Sequence, residues 1–228
     1  MFQNNLLMAA DAATSGTSLV EVANSALYVS GNSEKLTLTT GAGDRTDWAF
    51  STWVYNNNNT AVQGLLHGSA AGAGGTNDDR IFFNSNGALQ VAHYDGGAWA
   101  GRKYSTAKFR DIGWYHVVVI WDSDNGTAGD RLRLYVNGVR LTSFSTDEDL
   151  SSGELSFINH DTYVETLGYA DGAAIYADIY QAETVFINAA STVSVTDPTS
   201  FGEFDTTGLF WTPLASATIQ ELTFGTNG

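Results

Sequence analysis

The run from Gly113 to Leu141 constrains the fold more than any other part of this chain. It opens with Gly-Trp-Tyr-His-Val-Val-Val-Ile-Trp-Asp, apolar on both faces, as a strand covered on both sides must be. A loop rich in Ser, Asp, Asn and Gly spans Asp122 to Asp130. Arg-Leu-Arg-Leu-Tyr-Val follows and alternates strictly, with Leu132, Leu134 and Val136 on one face and Arg131, Arg133 and Tyr135 on the other. Asn137-Gly138 then supplies the two positive-φ residues of a tight hairpin turn, and Val139 to Leu141 turns back. A doubly buried strand, a long loop and a tight hairpin in one run predict an antiparallel sandwich and argue against a helical protein.

The rest of the chain fits that reading. A hydrophobic fraction of 43% over 228 residues is enough for a real core and argues against disorder. With 12 Phe, 10 Tyr and 6 Trp the composition favours strands and recognition surfaces, and no long helical period is visible. Short strand-like runs recur from Ala26 to Ile187, separated by turn signals, and the spacing predicts a sandwich or jelly roll. Among them, Glu154–Ile158 and Val139–Ser143 read as strands, and Asp95–Gly101 reads as a loop. Residues 1–22 read as an N-terminal arm, 23–190 as the sandwich, and 191–228 as a C-terminal extension. In the extension, Asp197-Pro198 predicts a capped helical turn, and Thr218–Phe224 a last strand.

Charge narrows the partners. A net charge of −15 opposes nucleic-acid binding, which needs a positive surface, and opposes anionic membranes. There are no cysteines, so no disulfide or thiolate chemistry is available. No apolar run is long enough for a membrane-spanning helix, and Met1–Ala10 lacks the basic start of a signal peptide. The chain is therefore expected to stay in the cytoplasm where it is made or to leave by a route other than a cleaved signal, of which assembly into a virus particle followed by lysis is one. The apolar Phe2, Leu6, Leu7 and Met8 belong either to a frayed terminus or to an anchor that orders against a neighbour.

Four motifs carry a family resemblance. Trp48-Ala49-Phe50-Ser51-Thr52-Trp53-Val54, Gly113-Trp114-Tyr115-His116-Val117, Leu132 to Gly138, and Thr166-Leu167-Gly168 with the later Asp178-Ile179 and Val185-Phe186-Ile187 stand in order across Ser25 to Asn188. They resemble the strands of laminin-G-like, concanavalin-A-like sandwich domains. The segments Asp197–Glu203, Gly208–Pro213 and Thr223–Gly228 resemble the ending of tailed-bacteriophage virion proteins that carry this domain. The resemblance implies a virion structural protein on a tail fibre, a tail tip or the capsid exterior. It also implies a lectin-like domain for host-surface glycan attachment, assembly as a homo-oligomer, and virion partners.

Enzymatic chemistry finds little support. Sandwich glucanases place carboxylates as Glu-x-Asp-x-x-Glu on one strand, but the best match here puts Tyr176 and Gln181 at the two glutamate positions. Asp147, Glu148 and Asp149 read as a solvated turn. No Gly-x-Ser-x-Gly occurs, and His116 lies in a buried-strand pattern as a satisfied core histidine. His67, His93 and His160 lack metal-site spacing. The resemblance implies one rim Ca²⁺, with Asp79 (or Asp78) and Asp171 as its ligands; the alternative is two solvated loop aspartates. Asp122–Gly126 is not an EF-hand loop, because Gly126 and Arg133 replace required ligands. Tyr94, Trp99 and Arg102, in a glycine-rich stretch, suit either sugar stacking or packing on a neighbouring subunit. The expectation is a non-enzymatic attachment protein, with a cement-like capsid decoration or a glycan depolymerase as alternatives.

Overall fold

A computed structural model describes residues 25–39, 41–56, 60–69, 76–170, 175–193, 195–215, 218–219 and 222. The strands in chain order are β1 (Ser25–Tyr28), β2 (Leu36–Leu38), β3 (Asp47–Asn56), β4 (Gln63–Ser69), β5 (Asp78–Phe83) and β6 (Ala88–Asp95). They continue as β7 (Ala98–Lys108), β8 (Gly113–Asp122), β9 (Leu132–Val136), β10 (Val139–Arg140), β11 (Phe144–Glu148) and β12 (Val164–Leu167). The last are β13 (Tyr169–Ala170), β14 (Ile175–Tyr176), β15 (Ile179–Asn188), β16 (Gly202–Phe204) and β17 (Trp211–Pro213). They form a six-stranded sheet, β1-β15-β3-β8-β9-β10, packed on a seven-stranded sheet, β11-β7-β6-β5-β4-β12-β2, with small ribbons β13-β14 and β16-β17. All strand pairs are antiparallel, and the architecture is a jelly-roll sandwich.

The apolar run that opens the sequence argument lies at the centre of the six-stranded sheet. β8 pairs with β3 along its whole length, from Asp47↔Asp122 to Asn56↔Gly113. Val117, Val119 and Trp121 point into the core between the sheets, beside Phe50, Val54, Leu132 and Leu134. Trp48 and Trp121 stack there at 5.7 Å. Asn137 and Gly138 adopt φ of 49° and 76°, so the hairpin turn predicted from sequence forms between β9 and β10.

The other side of β8 is also buried. Val118 and Ile120 join Ala49, Tyr135 and Ile187 in a second apolar cluster, closed from outside by Ala190, Val195, Phe201 and Ile219. The C-terminal segment thus lies on the outer face of the six-stranded sheet. Each large apolar side chain buried there stabilises the fold by roughly 1.5–3 kcal/mol. Trp211 comes so close to the β9–β10 turn that a Cβ on Gly138 would sit 2.3 Å from its ring. The helical turn at Pro198–Ser200 forms with Asp197 accepting from the Thr199 amide at 2.8 Å.

Several expectations are corrected. Asp95–Gly101 is not a long loop: Gly96 and Gly97, at φ 58° and 86°, make a two-residue turn between β6 and β7. Glu154–Ile158 is not a strand. The Phe157 and Ile158 amides donate to the Asp79 carboxylate and not to a neighbouring strand. Asp147 and Glu148 lie on β11, where they pair with Lys103 and Arg102, so the solvated-turn reading fails. β10 stops at Arg140. Thr218 and Ile219 are helical, and the rest of Thr218–Phe224, apart from Leu222, lies outside the described residues.

Candidate functional site

Cross-strand partners in a sheet project on the same face. One row on the outer face of the seven-stranded sheet runs His67, Arg80, Ala92, Arg102, Glu148, across β4, β5, β6, β7 and β11. The small Ala92 separates the two arginines. A register shift between His93 and Tyr94 pairs Tyr94 with Trp99. The two rings meet edge to face at 4.8 Å. The Arg102 guanidinium lies 5.0 Å from the indole centroid and the Arg80 guanidinium 5.8 Å from it. Tyr104 supports Arg102 from the other side at 5.7 Å. Tyr94, Trp99 and Arg102, named from sequence, are therefore brought together, and Trp99 remains 40% exposed.

The cluster is rigidly held. Tyr94 donates its hydroxyl to the Gly97 carbonyl at 2.6 Å. The Gly97 amide donates to Thr76 O at 3.0 Å, and the Gly96 amide to Asn77 Oδ1 at 3.0 Å. Arg102 forms a two-pronged pair with Glu148 across β7 and β11. That hydrogen bonding lowers the Glu148 pKa and raises that of Arg102. Arg80 pairs in the same manner with Asp78, at 2.7 Å for each bond. Further along the face, β13–β14 covers the sheet: the Tyr169 backbone lies where a Cβ on Gly64 would be, and Lys35 Nζ sits 4.7 Å above the Tyr169 ring. Arg80 and Tyr104 were not singled out from sequence, and Glu148 was read only as part of a solvated turn. The alternation Arg102-x-Tyr104 was the available signal; the Glu148 pairing spans 46 residues and has no local signature.

Asp79 faces the interior. It is 2% exposed and accepts from His93 Nδ1 at 2.5 Å, from Ser156 Oγ at 2.6 Å, and from the Phe157 and Ile158 amides. Burial works to raise its pKa, but the His93 charge and these hydrogen bonds together lower it. Burial likewise works against a charged His93, but Asp79 and then Glu154, 3.3 Å from Nε2, raise its pKa. A carboxylate whose two oxygens already receive four protein donors, the His93 ring among them, does not fit a calcium ligand. Asp78 is held by Arg80, and Asp171 lies outside the described residues. No group of three or more His, Cys, Asp or Glu suited to a metal occurs among the described residues. Phe2, Leu6, Leu7 and Met8 also lie outside the described residues.

His116 is the satisfied core histidine expected from sequence. It is 1% exposed, and burial lowers its pKa to about 3. Trp211 Nε1, which can only donate, bonds to His116 Nδ1 at 2.8 Å. The neutral ring therefore carries its proton on Nε2 and donates it to Ser51 Oγ at 2.8 Å. That polarity is the reverse of a base activating a serine. Near the rim, a cleft of about 390 Å³ is lined by Arg45, Asp95, Glu154 and Phe157 among others. Its Glu154 is the carboxylate beside His93.

Comparison with known proteins agrees with this architecture. Residues 30–186, more than half of the chain, match the family model described as the concanavalin A-like lectin/glucanases superfamily. Among solved structures, laminin alpha1 chain domains LG4-5 from mouse superpose with a TM-score of 0.51 at 13% identity, covering 80% of this chain and 46% of that one. A native heptameric SAP-like pentraxin from Limulus polyphemus gives 0.47 at 11% identity, covering 67% and 68%. The sialidase CBM40 of Ruminococcus gnavus bound to alpha2,3 sialyllactose gives 0.44 at 13% identity, covering 65% and 88%. At such identities these likenesses concern the fold alone. A comparison with curated protein sequences finds no significant match. The two-sheet architecture and the match over residues 30–186 place the chain in the concanavalin A-like lectin/glucanase superfamily.

Proposed function

We propose that this chain is a non-enzymatic carbohydrate-binding protein that attaches a tailed-phage particle to a host-surface glycan through the outer face of its seven-stranded sheet. The observation that carries the reading is the Trp99 indole. It is 40% exposed, yet fixed beside Tyr94, Arg80 and Arg102. A platform ordered before its ligand arrives loses little entropy on binding. Its apolar surface suits the C–H face of a pyranose, and the guanidinium and carboxylate rim suits the hydroxyls.

The virion placement is supported by the resemblance of Asp197–Glu203 and Gly208–Pro213 to the endings of phage virion proteins. A charge of −15 would keep particles bearing many copies apart. Virion appendages are symmetric assemblies, and a homo-oligomer is the matching state for this chain. The non-enzymatic reading is supported by the Ser51–His116 polarity and by the engagement of Glu154 with His93.

A glycan array probed with the wild type and with Trp99→Ala tests the reading, together with adsorption of particles carrying each form. Binding and adsorption lost together in the variant are expected. Particles that adsorb normally without Trp99 would leave a capsid-decoration role. New reducing ends released from a bound glycan would make the protein a depolymerase.

A further inference from the structure

We propose that the Trp99 face selects uncharged sugars and discriminates against acidic ones, an inference that rests on the carbohydrate-binding reading above. Both cations beside the indole are already closed on carboxylates. Arg80 donates Nε and Nη2 to the two oxygens of Asp78, each at 2.7 Å. Arg102 donates Nε to Glu148 Oε2 at 2.7 Å and Nη2 to Oε1. In each pair the carboxylate takes the forked Nε–Nη2 edge and neutralises the charge that a uronate or sialate would seek.

Displacing either carboxylate is unfavourable. Asp78 is 1% exposed and held by its place in β5, so pushing it off Arg80 would leave a buried charge unpaired. Glu148 is fixed opposite Arg102 by strand register. The neighbouring Lys103 gives no help, because its Nζ contacts Asp147 and Asp149. Two guanidiniums and two carboxylates leave the platform without net charge, on a protein whose total is −15. A polyanionic glycan therefore meets repulsion on approach and no free cation on arrival.

A neutral pyranose needs none of those charges free. The indole supplies the stacking surface, and the Arg102–Glu148 pair still offers hydrogen bonds: the guanidinium has N–H groups beyond the two that Glu148 accepts, and the carboxylate keeps lone pairs. The Arg102 and Glu148 side chains are 23% and 43% exposed, so these remaining positions reach solvent. The pairing also fixes the orientation of both groups, which suits recognition of hydroxyl geometry.

The test is a printed panel of oligosaccharide pairs, each pair alike except for a uronic or sialic acid on one member, probed with the wild type, Trp99→Ala and Glu148→Gln. Neutral members should bind at least ~10-fold more tightly than acidic partners, and their binding should change less than about two-fold between about 50 and 500 mM NaCl. Trp99→Ala should lose all of it, with an unchanged urea midpoint as proof of folding. Glu148→Gln frees the Arg102 charge and should raise the acidic-to-neutral ratio. Binding confined to acidic members and lost in Trp99→Ala would overturn the selectivity while leaving carbohydrate binding intact. Absence of binding throughout the panel, or binding indifferent to Trp99→Ala, would overturn the underlying reading.

Discussion

Trp211 Nε1 donates to His116 Nδ1 at 2.8 Å, and this contact couples the C-terminal segment to the protonation of one buried ring. The folded imidazole must stay neutral to accept that bond, and burial lowers its pKa to about 3. An unfolded histidine titrates near ~6.5, so between these values the unfolded chain takes up a proton that the folded chain refuses. The contribution of His116 to stability is thus complete above about pH 6.5 and falls as the pH drops towards 3. Urea midpoints followed from about pH 6.5, below which the contribution of His93 is complete, down to about pH 5 should decline, and His116→Gln should flatten the decline. A wild-type midpoint that rises on acidification, with no change of slope in the variant, would refute this assignment.

His93 should behave in the opposite sense. Its folded pKa is raised, because Asp79 and Glu154 outweigh the effect of burial. Its contribution is fully present below the unfolded value of ~6.5 and is lost as pH rises through the raised folded value. Asp79→Asn should cost about 3–5 kcal/mol below about pH 6.5, because a buried charge loses its partner while three other donors lose an anionic acceptor. Histidine NMR titrations would check the ordering: the His93 ring should titrate above the unfolded value and the His116 ring far below it.

Lys103 offers a third test. Its side chain is 3% exposed, on the inner face of β7, and its charge contacts Asp147 and Asp149, whose side chains are 53% and 39% exposed. Replacing a buried ion by an apolar side chain of similar shape is often neutral or stabilising. Lys103→Met should therefore change stability by less than about 1 kcal/mol, whereas Asp147→Ala with Asp149→Ala should cost more by stranding the ammonium. Chemical denaturation of the two variants distinguishes these outcomes.

Deleting residues 1–20 should leave the sandwich intact, because the described strands begin at Ser25. The unfolding free energy from urea titration should stay within about 0.5 kcal/mol of wild type. Incorporation into particles should be lost if Phe2, Leu6, Leu7 and Met8 form the anchor. Normal copy numbers in purified particles would dispose of that role.

Much of the fold was legible because its signals are local. Val117–Trp121 is apolar throughout, and Asn137-Gly138 encodes its own turn. β7 escaped notice because its inner face carries Gly101, Lys103 and Ser105 in place of an apolar period. Gly101 makes room for Leu150, and Lys103 reaches out to acids on another strand. Phe144–Glu148 carries no apolar alternation and becomes a strand through pairing with β7. Glu154–Ile158 misled for the converse reason: its apolar residues are real, but a buried carboxylate takes the amides a neighbouring strand would have used. At the candidate site, Trp99 in a glycine-rich stretch was visible, but the two acids that neutralise its arginines were not. Asp78 was considered for metal binding alone, and the pairing of Glu148 depends on register between distant strands.

With Val195, Phe201 and Ile219 closing the six-stranded sheet, one face of the sandwich is covered by the chain itself, while the other leaves Trp99 open to solvent. Fastened by its covered face, to a bead or to a larger assembly, it shows the indole to whatever drifts past. Fastened by the opposite face, the same folded molecule would keep that indole covered.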